Sequence, residues 1–326
     1  MVQTEVTTLD ILIPCHNRAN DIEKLINHLY KMECPINIRF TIHVIDDLST
    51  DNSVEKIKNL QKKYSSLFLI QNKENKGLFF NRILLTNNAT ADYIFFMDDD
   101  DEVDDNLFIE FAKYTNYDLI RTIRKSFMGG KIFIDFEGIY KSLKVPSDMI
   151  NLMTAYFITG IFISKYVYTK MFSILKQVDC NFLKLNIYED QPYFYLMTNF
   201  TRNFIFINCY YHYIINPSGL IQSSSYDRTT KDALRILEIL NKIIITLKKN
   251  NCYNVSPEFM LMHLWHLIWV HDRHNKYCKI LHEKFNEFNW NQIKKVSFKN
   301  KLKCGLLKNY LSFLLLSYLV KPFLKI

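Results

Sequence analysis

Through residues 1–125, short apolar runs alternate with stretches of helical period. Residues 9–14 form an apolar run that Pro14 stops, and Ile22, Leu25, Ile26 and Leu29 then recur at helical spacing. Residues 40–45 are the next apolar run, closed by Asp46 and Asp47, after which Val54, Ile57 and Leu60 again fit a helix. The pattern predicts a third strand over residues 67–70 and a short helix over 78–85. A fourth strand over 93–97 runs directly into Asp98, Asp99, Asp100 and Asp101. Strand and helix alternating at this spacing predict an α/β domain whose parallel sheet is covered on both faces.

Further on the pattern is less regular. Residues 119–124 and 132–136 read as strands, and 157–164 as another with Gly160 inside it. Tyr188-Glu189-Asp190-Gln191-Pro192 precedes an apolar helical stretch reaching Asn199. Residues 204–207 and 210–215 read as two further strands, ended by Asn216-Pro217-Ser218-Gly219. From Thr230 the period is helical, through Leu234, Leu237, Ile239, Ile243, Ile244 and Leu247 and again over residues 259–271. This change of period sets the expected division: an α/β domain over residues 1–225 and a helical C-terminal region over 226–326.

Charge changes the picture only at the C-terminal end. The formal net charge is +8, and from Asn291 onward there are eight lysines (Lys294, Lys295, Lys299, Lys301, Lys303, Lys308, Lys321, Lys325) with no Asp or Glu. The tail therefore carries the whole excess. Its lysines flank apolar Leu306, Leu307, Tyr310, Leu311, Tyr318 and Leu319, which suits a helix lying in an anionic membrane surface. The alternative is a terminal helix packed on the domain with its lysines solvated. Basic residues confined to an apolar tail, with no recognition module, argue against nucleic-acid binding. Seven scattered cysteines include no CxxC pair, so neither a zinc site nor a redox motif is indicated, and a reducing compartment is expected. The N-terminus lacks the basic-then-apolar pattern of a signal peptide. No uncharged apolar run reaches the length of about 18 residues that a spanning helix needs. The expected location is cytoplasmic, peripheral on the inner face of the membrane.

Ligands of open α/β sheets bind beyond the carboxyl ends of the strands. In this chain Asn17 and Arg18 follow the first strand, Asp46 and Asp47 the second, and the four aspartates the fourth. Four carboxylates after a buried strand repel one another, and a divalent cation with a taste for hard oxygen ligands is their natural partner. Alternate residues at a strand end point the same way, so Asp98 and Asp100 are expected to share a site for Mg²⁺ or Mn²⁺ that holds a diphosphate. The competing reading is an acidic loop or the N-cap of a helix over residues 106–114. An EF-hand is excluded, because its sixth and twelfth positions would be Val103 and Ile109. His212 is a possible further metal ligand, though a packed or surface histidine is the favoured reading. His263, His266, His271 and His274 lie among Trp265, Leu267, Ile268 and Trp269, which favours an amphipathic packing helix over a metal cluster.

These segments together resemble family 2 glycosyltransferases. Ile11-Leu12-Ile13-Pro14-Cys15-His16-Asn17 is similar to their opening strand, usually Ile-Pro-x-Tyr-Asn. Asp46-Asp47-Leu48-Ser49-Thr50-Asp51 resembles their Asp-Asp-x-Ser-x-Asp segment, and Asn75-Lys76-Gly77-Leu78-Phe79-Phe80-Asn81-Arg82 their Asn-x-Gly-x-x-x-Ala-Arg-Asn. Phe96-Met97-Asp98-Asp99-Asp100 resembles the Asp-x-Asp motif, and Tyr188-Glu189-Asp190 the later Glu-Asp motif. The resemblance, over residues 8–195 in the family's order, implies a GT-A fold: a Rossmann-like, mostly parallel mixed sheet flanked by helices, binding a nucleoside-diphosphate sugar. It also implies roles. Pro14 and Asn17 would border the nucleotide, and Asp47 would receive the base. Gly77 would allow close approach, and Arg82 would lie near the pyrophosphate or base. Asp98 would sit near the ribose or the metal, Asp100 would ligate the metal, and Asp190 would be the general base. His16 stands where the family has Tyr, and Asn81 and Ile83 stand where it has Ala and Asn.

The implied reaction is inverting transfer of a sugar, with a UDP-sugar as the family-typical donor, to a hydroxyl of a glycan or lipid-linked glycan in surface polysaccharide synthesis. A positioned carboxylate that takes the hydroxyl proton accelerates such a step by about 10²–10⁴-fold. Two other readings compete. A sugar-phosphate nucleotidyltransferase would need a glycine-rich phosphate loop after the first strand, where this chain has Cys15-His16-Asn17-Arg18-Ala19-Asn20. A non-catalytic carbohydrate- or membrane-binding protein on the same fold would not need Asp98, Asp100 and Asp190.

Overall fold

Leu9, Ile11, Leu12 and Ile13 are fully buried because their strand, β1 (Thr7–Cys15), lies inside a sheet covered on both sides. The computed structural model describes residues 5–128, 131–134, 158–178, 185, 189–214 and 226–252. The sequence expectations for residues 259–271, for His263, His266, His271 and His274, for the lysine tail, for Tyr188 and for the turn at 216–219 fall outside them. The chain divides into two compact units, Met1–Ser223 and Ser224–Ile326.

In the first unit β1 pairs in parallel with β2 (Ile38–Asp46) on one side and β4 (Tyr93–Phe96) on the other, and β2 pairs in parallel with β3 (Leu67–Gln71). The connecting helices are α1 (Ala19–Lys31), α2 (Ser53–Gln61) and α3 (Leu78–Asn88). The apolar positions read at helical spacing in α1, Ile22, Leu25, Ile26 and Leu29, are its buried face. The sheet continues as β4-β8-β6-β9-β5, with β5 (Glu102–Val103), β6 (Leu119–Met128), β8 (Ile161–Ser164) and β9 (Phe204–Ile214); β7 (Lys131–Ile134) pairs with β6. β8 runs antiparallel to both β4 and β6, so the sheet is mixed. Helices α4 (Leu107–Ala112), α5 (Lys165–Val178) and α6 (Asp190–Phe200) complete the described part.

Two expectations need correction, and one element was not foreseen. The strand over residues 157–164 is shorter, because Gly160 takes φ 74, a left-handed conformation that ends pairing; only Thr159 makes an isolated bridge, to Phe96. The two strands at 204–207 and 210–215 are one strand. Its register against β6 shifts between Arg121 and Ile123, and residues 208–209, left between the two expected strands, lie in that irregularity. Helix α5 was not anticipated, although Val167, Tyr168, Met171, Ile174, Leu175 and Val178 form its buried stripe.

In the second unit the described part is α7 (Tyr226–Lys249), which buries Ile236, Ile239, Leu240, Ile243 and Leu247. It ends at Lys249, and Asn251, with φ 54, turns the chain so that the Cys252 amide donates to the Leu247 carbonyl at 3.0 Å. Among the described residues no helix is long and apolar enough to cross a membrane.

Candidate active site

The carboxyl ends of β1, β2 and β4 are tied together. The Asp47 amide donates to the Cys15 carbonyl at 2.8 Å, the His16 amide to Asp99 Oδ2 at 3.2 Å, and Arg18 Nη2 lies 3.3 Å from Asp100 Oδ2. Pro14 is buried at the end of β1, in register with Ile45. Asn17 takes φ 55, a region that asparagine tolerates. Its amide donates to Ser49 Oγ at 2.9 Å, and its Oδ1 accepts the Thr50 amide at 2.7 Å. Leu48 also has positive φ, at 63, and is exposed. His16 Nδ1 sits 2.9 Å from the Asp47 carbonyl oxygen.

Asp47 is 4% exposed, and both its carboxylate oxygens are engaged. Oδ1 accepts the Lys76 amide at 2.7 Å and Asn72 Nδ2 at 2.9 Å; Oδ2 accepts the Gly77 amide at 2.9 Å. Gly77, with φ 85, then opens α3. The carboxylate thus shapes the loop over residues 72–77, a role the sequence did not disclose.

α3 delivers Arg82 to the centre of the site, 1% exposed. Its Nη1 donates to Glu189 Oε1 at 2.9 Å and to Asp190 Oδ1, and its Nη2 donates to Asp98 Oδ1 at 2.8 Å. Residues far apart in the chain are so brought to one guanidinium. Asp190 is the first residue of α6, where the helix dipole favours negative charge. Arg82 had been expected near the pyrophosphate or base; the structure puts it on the acidic motifs themselves.

β4 ends at Phe96, and the chain then turns, the Asp101 amide donating to the Asp98 carbonyl at 3.3 Å. The strand alternation expected to send Asp98 and Asp100 to one side therefore does not extend to them. Asp98 meets Arg82, and Asp100 meets Arg18. Asp101 is buried, accepting the Tyr211 hydroxyl at 2.6 Å and the Ile214 amide at 2.9 Å. His212 Nε2 lies 2.6 Å from Asp104 Oδ1.

Carboxyls outnumber cations, and the titration behaviour follows. Burial, then Asp100 and Asp98, push Asp99 well above the usual carboxylate range. Burial and Asp98 raise Asp100 against the opposing pull of Arg18. Burial and Asp190 push Glu189 up to about 8, with Arg82 opposing. Burial pushes Asp190 up to about 6 against the pull of Arg82, with Asp98 adding to the rise. Burial alone would favour loss of the Arg82 proton, but Asp190, Asp98 and Glu189 outweigh it and hold the guanidinium charged.

Among the described residues no group of three or more His, Cys, Asp or Glu side chains is arranged to enclose a metal ion. Asp98 and Asp100 instead offer oxygens at side-chain exposures of 27% and 21%. That donor set suits Mg²⁺ or Mn²⁺, which take one or two carboxylates and fill the shell with phosphate oxygens and water; it does not suit a closed, soft-ligand zinc site. Glu189 and Tyr211 are the site residues the sequence reading left without roles. Glu189 lay inside a motif already singled out. Tyr211 was overshadowed by its neighbour His212 and carried no signal of its own.

A mixed sheet flanked by helices, with an acidic turn after the fourth strand, defines a GT-A architecture. Residues 10–131 match the family model described as glycosyl transferase family 2. The uncharacterized glycosyltransferase MG060 of Mycoplasma genitalium is 29% identical over 118 residues, 34% of this chain and 39% of that protein. The chain thus matches well under half the length of this curated relative. Crystal structures of S. aureus TarS 1–349 share the fold. The complex with UDP-GlcNAc has a TM-score of 0.58 at 18% identity, over 86% of this chain and 81% of that one. The complex with UDP has a TM-score of 0.54 at 18% identity, over 94% and 80%. The fold of the first unit is GT-A, and residues 10–131 are similar to family 2 glycosyltransferases.

Proposed function

We propose that the protein is an inverting glycosyltransferase that moves a sugar from a nucleoside-diphosphate sugar to a hydroxyl of a glycan or lipid-linked glycan in surface polysaccharide synthesis. The observation that carries this reading is the meeting of Asp98 and Asp190 on one buried Arg82. A metal-ligand candidate and a base candidate then face the same small volume. The TarS complexes with UDP-GlcNAc and UDP support a UDP-sugar as donor.

Pro14, Asn17, Asp47 and Gly77 would border the nucleotide, Asp47 by shaping the loop that receives it. Asp98 and Asp100 would hold the cation on the donor diphosphate. Bound there, Mg²⁺ or Mn²⁺ supplies Lewis-acid stabilisation of the leaving diphosphate. Asp190, with Oδ1 held by Arg82, takes the acceptor proton on its other oxygen as the hydroxyl oxygen bonds the anomeric carbon. The bond from that carbon to the diphosphate breaks, and its electron pair leaves with the diphosphate, inverting the centre. A carboxylate at about 6 is mostly ionised at neutral pH, yet basic enough to accept a proton. Residues 1–225 would form the transferase domain, and the helical region over 226–326, with its basic tail, would rest on the anionic inner face of the membrane.

The test is the melting temperature of the purified chain against nucleoside diphosphates and their sugars, with Mn²⁺, Mg²⁺ or EDTA, followed by transfer assays. A ligand that binds only the folded state raises the midpoint. A metal-dependent rise with one nucleotide, lost in Asp100→Ala, is the expected result. Asp190→Asn should keep that rise and lose transfer. A folded protein that responds to no nucleotide would overturn the reading in favour of a non-catalytic binding protein.

A further inference from the structure

A buried phenol lies beneath the acidic turn. Tyr211 is 1% exposed, and its hydroxyl donates to Asp101 Oδ2 at 2.6 Å while accepting the Asp98 amide at 3.2 Å. One oxygen so ties the first aspartate of the run to the last. The other Asp101 oxygen accepts the Ile214 amide at 2.9 Å, which anchors the turn to β9 a second time.

The ring that carries this hydroxyl has little room to shift. A Cβ at Gly160 would lie 3.0 Å from Tyr211 Cγ and 2.6 Å from Thr122 Oγ1, so the ring lies directly against the glycine backbone. That backbone is itself fixed. The Gly160 amide donates to the Phe96 carbonyl at 3.2 Å, at the last residue of β4, and the Thr122 amide and hydroxyl donate to the Gly160 carbonyl at 3.0 and 2.8 Å. Phe95 lies on the same ring, with centroids 6.4 Å apart. The glycine that shortens β8 thus admits a tyrosine from β9 under the turn from β4.

We propose that Tyr211 is a positioning residue for the acidic turn: through Asp101 and the Asp98 amide its hydroxyl fixes where Asp98 and Asp100 present their oxygens, and so sets the affinity for the cation–nucleotide pair without touching it. The inference rests on the proposed donor site. Tyr211→Phe keeps the ring against Gly160 and Phe95 and removes one oxygen, leaving the Asp98 amide without its acceptor.

The experiment titrates MnCl₂ into the full chain at fixed UDP and reads UDP binding by calorimetry, with the melting temperature of the ligand-free protein measured alongside. Loss of one buried hydrogen bond that orders a ligand turn corresponds to about a tenfold rise in the Mn²⁺ concentration needed, with UDP binding in EDTA unchanged. Asp101→Asn should shift the titration the same way, and the double variant should add little to either, because both remove one link. Should Tyr211→Phe not fold, Asp101→Asn carries the test. A Tyr211→Phe or Asp101→Asn protein with the wild-type Mn²⁺ requirement overturns the inference. So does a lower melting temperature as the sole change, which marks a packing role. Wild-type protein that binds UDP with no metal dependence, or not at all, overturns the proposed function itself and is distinguishable from both.

Discussion

Arg82→Met removes the one guanidinium to which Asp98, Glu189 and Asp190 all bond, and replaces it with an apolar chain of similar length. Breaking a buried ion pair by deleting one partner costs about 3–5 kcal/mol, because the other charge is left uncompensated. That cost depends on pH in a direction fixed by the site. Asp190 titrates at about 6 with Arg82 present, and the arginine is what pulls it down. Without the arginine its value rises further, so above about pH 6 the folded variant holds a proton that the folded wild type has lost. Each pH unit over which one extra proton is bound widens the stability gap by about 1.4 kcal/mol. At acid pH Asp190 and Glu189 are protonated in both proteins, and much of the penalty vanishes. Urea unfolding followed by circular dichroism, at about pH 5 and about pH 8, should therefore show a destabilisation larger at the higher pH by roughly 2–3 kcal/mol. Equal destabilisation at both, or less than about 1 kcal/mol at about pH 8, would refute the placement of Arg82 as counter-ion to the acidic motifs.

The pH dependence of kcat/KM should show an acid limb near 6, falling about tenfold per unit below it, because protonated Asp190 cannot accept the acceptor proton; Asp190→Asn should abolish the limb along with about 10²–10⁴-fold of activity. Asp10 is buried in β1, accepting the Thr90 and Ala91 amides at 2.8 and 3.1 Å and lying 3.2 Å from His43. Burial alone would raise it, but His43 and the two amides hold it below the usual range. Asp10→Ala should cost about 1–3 kcal/mol near neutral pH, and that loss should shrink as acid titrates the wild-type carboxylate; an unchanged urea midpoint would count against the network. Gly160→Ala puts a side chain at φ 74 and a methyl 2.6 Å from Thr122 Oγ1. It should lower stability by about 1–3 kcal/mol from backbone strain alone, and a melting temperature equal to wild type would refute the tight packing beneath the acidic turn.

Period and strand-end chemistry made the first half of the molecule legible. β1 to β4 and α1 to α3 fall where apolar runs and helical spacing put them, since central parallel strands are buried on both faces and leave a continuous apolar trace. Legibility fails where structure depends on contacts between distant residues. Gly160 looked like an interior strand residue, because nothing in the local sequence shows that Tyr211 lies across it. The irregularity opposite Arg121 and Ile123 made one strand look like two. Asp98 and Asp100 were grouped by strand alternation, a rule that lapses once the chain turns after Phe96. Motif spacing pointed to each acidic segment separately; it carried no sign that Arg82 joins two of them.

That junction bears on why the donor should arrive with a cation. Asp98, Asp99, Asp100, Asp101, Glu189 and Asp190 crowd a site in which the opposing charges on Asp99, Asp100 and Asp190 are Arg18, Arg82 and Arg124. The rise of Asp99, Asp100, Asp101, Glu189 and Asp190 above their ordinary values is the direct expression of burial combined with that imbalance. A donor diphosphate bound as proposed would add more negative charge to the same volume. At an effective dielectric of about 20, two like charges about 4 Å apart repel by about 4 kcal/mol, comparable to the whole of a weak binding energy. Protonating more carboxyls would relieve the repulsion but would also disarm Asp190. A divalent cation held as proposed by Asp98 and Asp100 would relieve it while leaving Asp190 ionised, so the charge arrangement and the proposed base role call for the same proposed ligand.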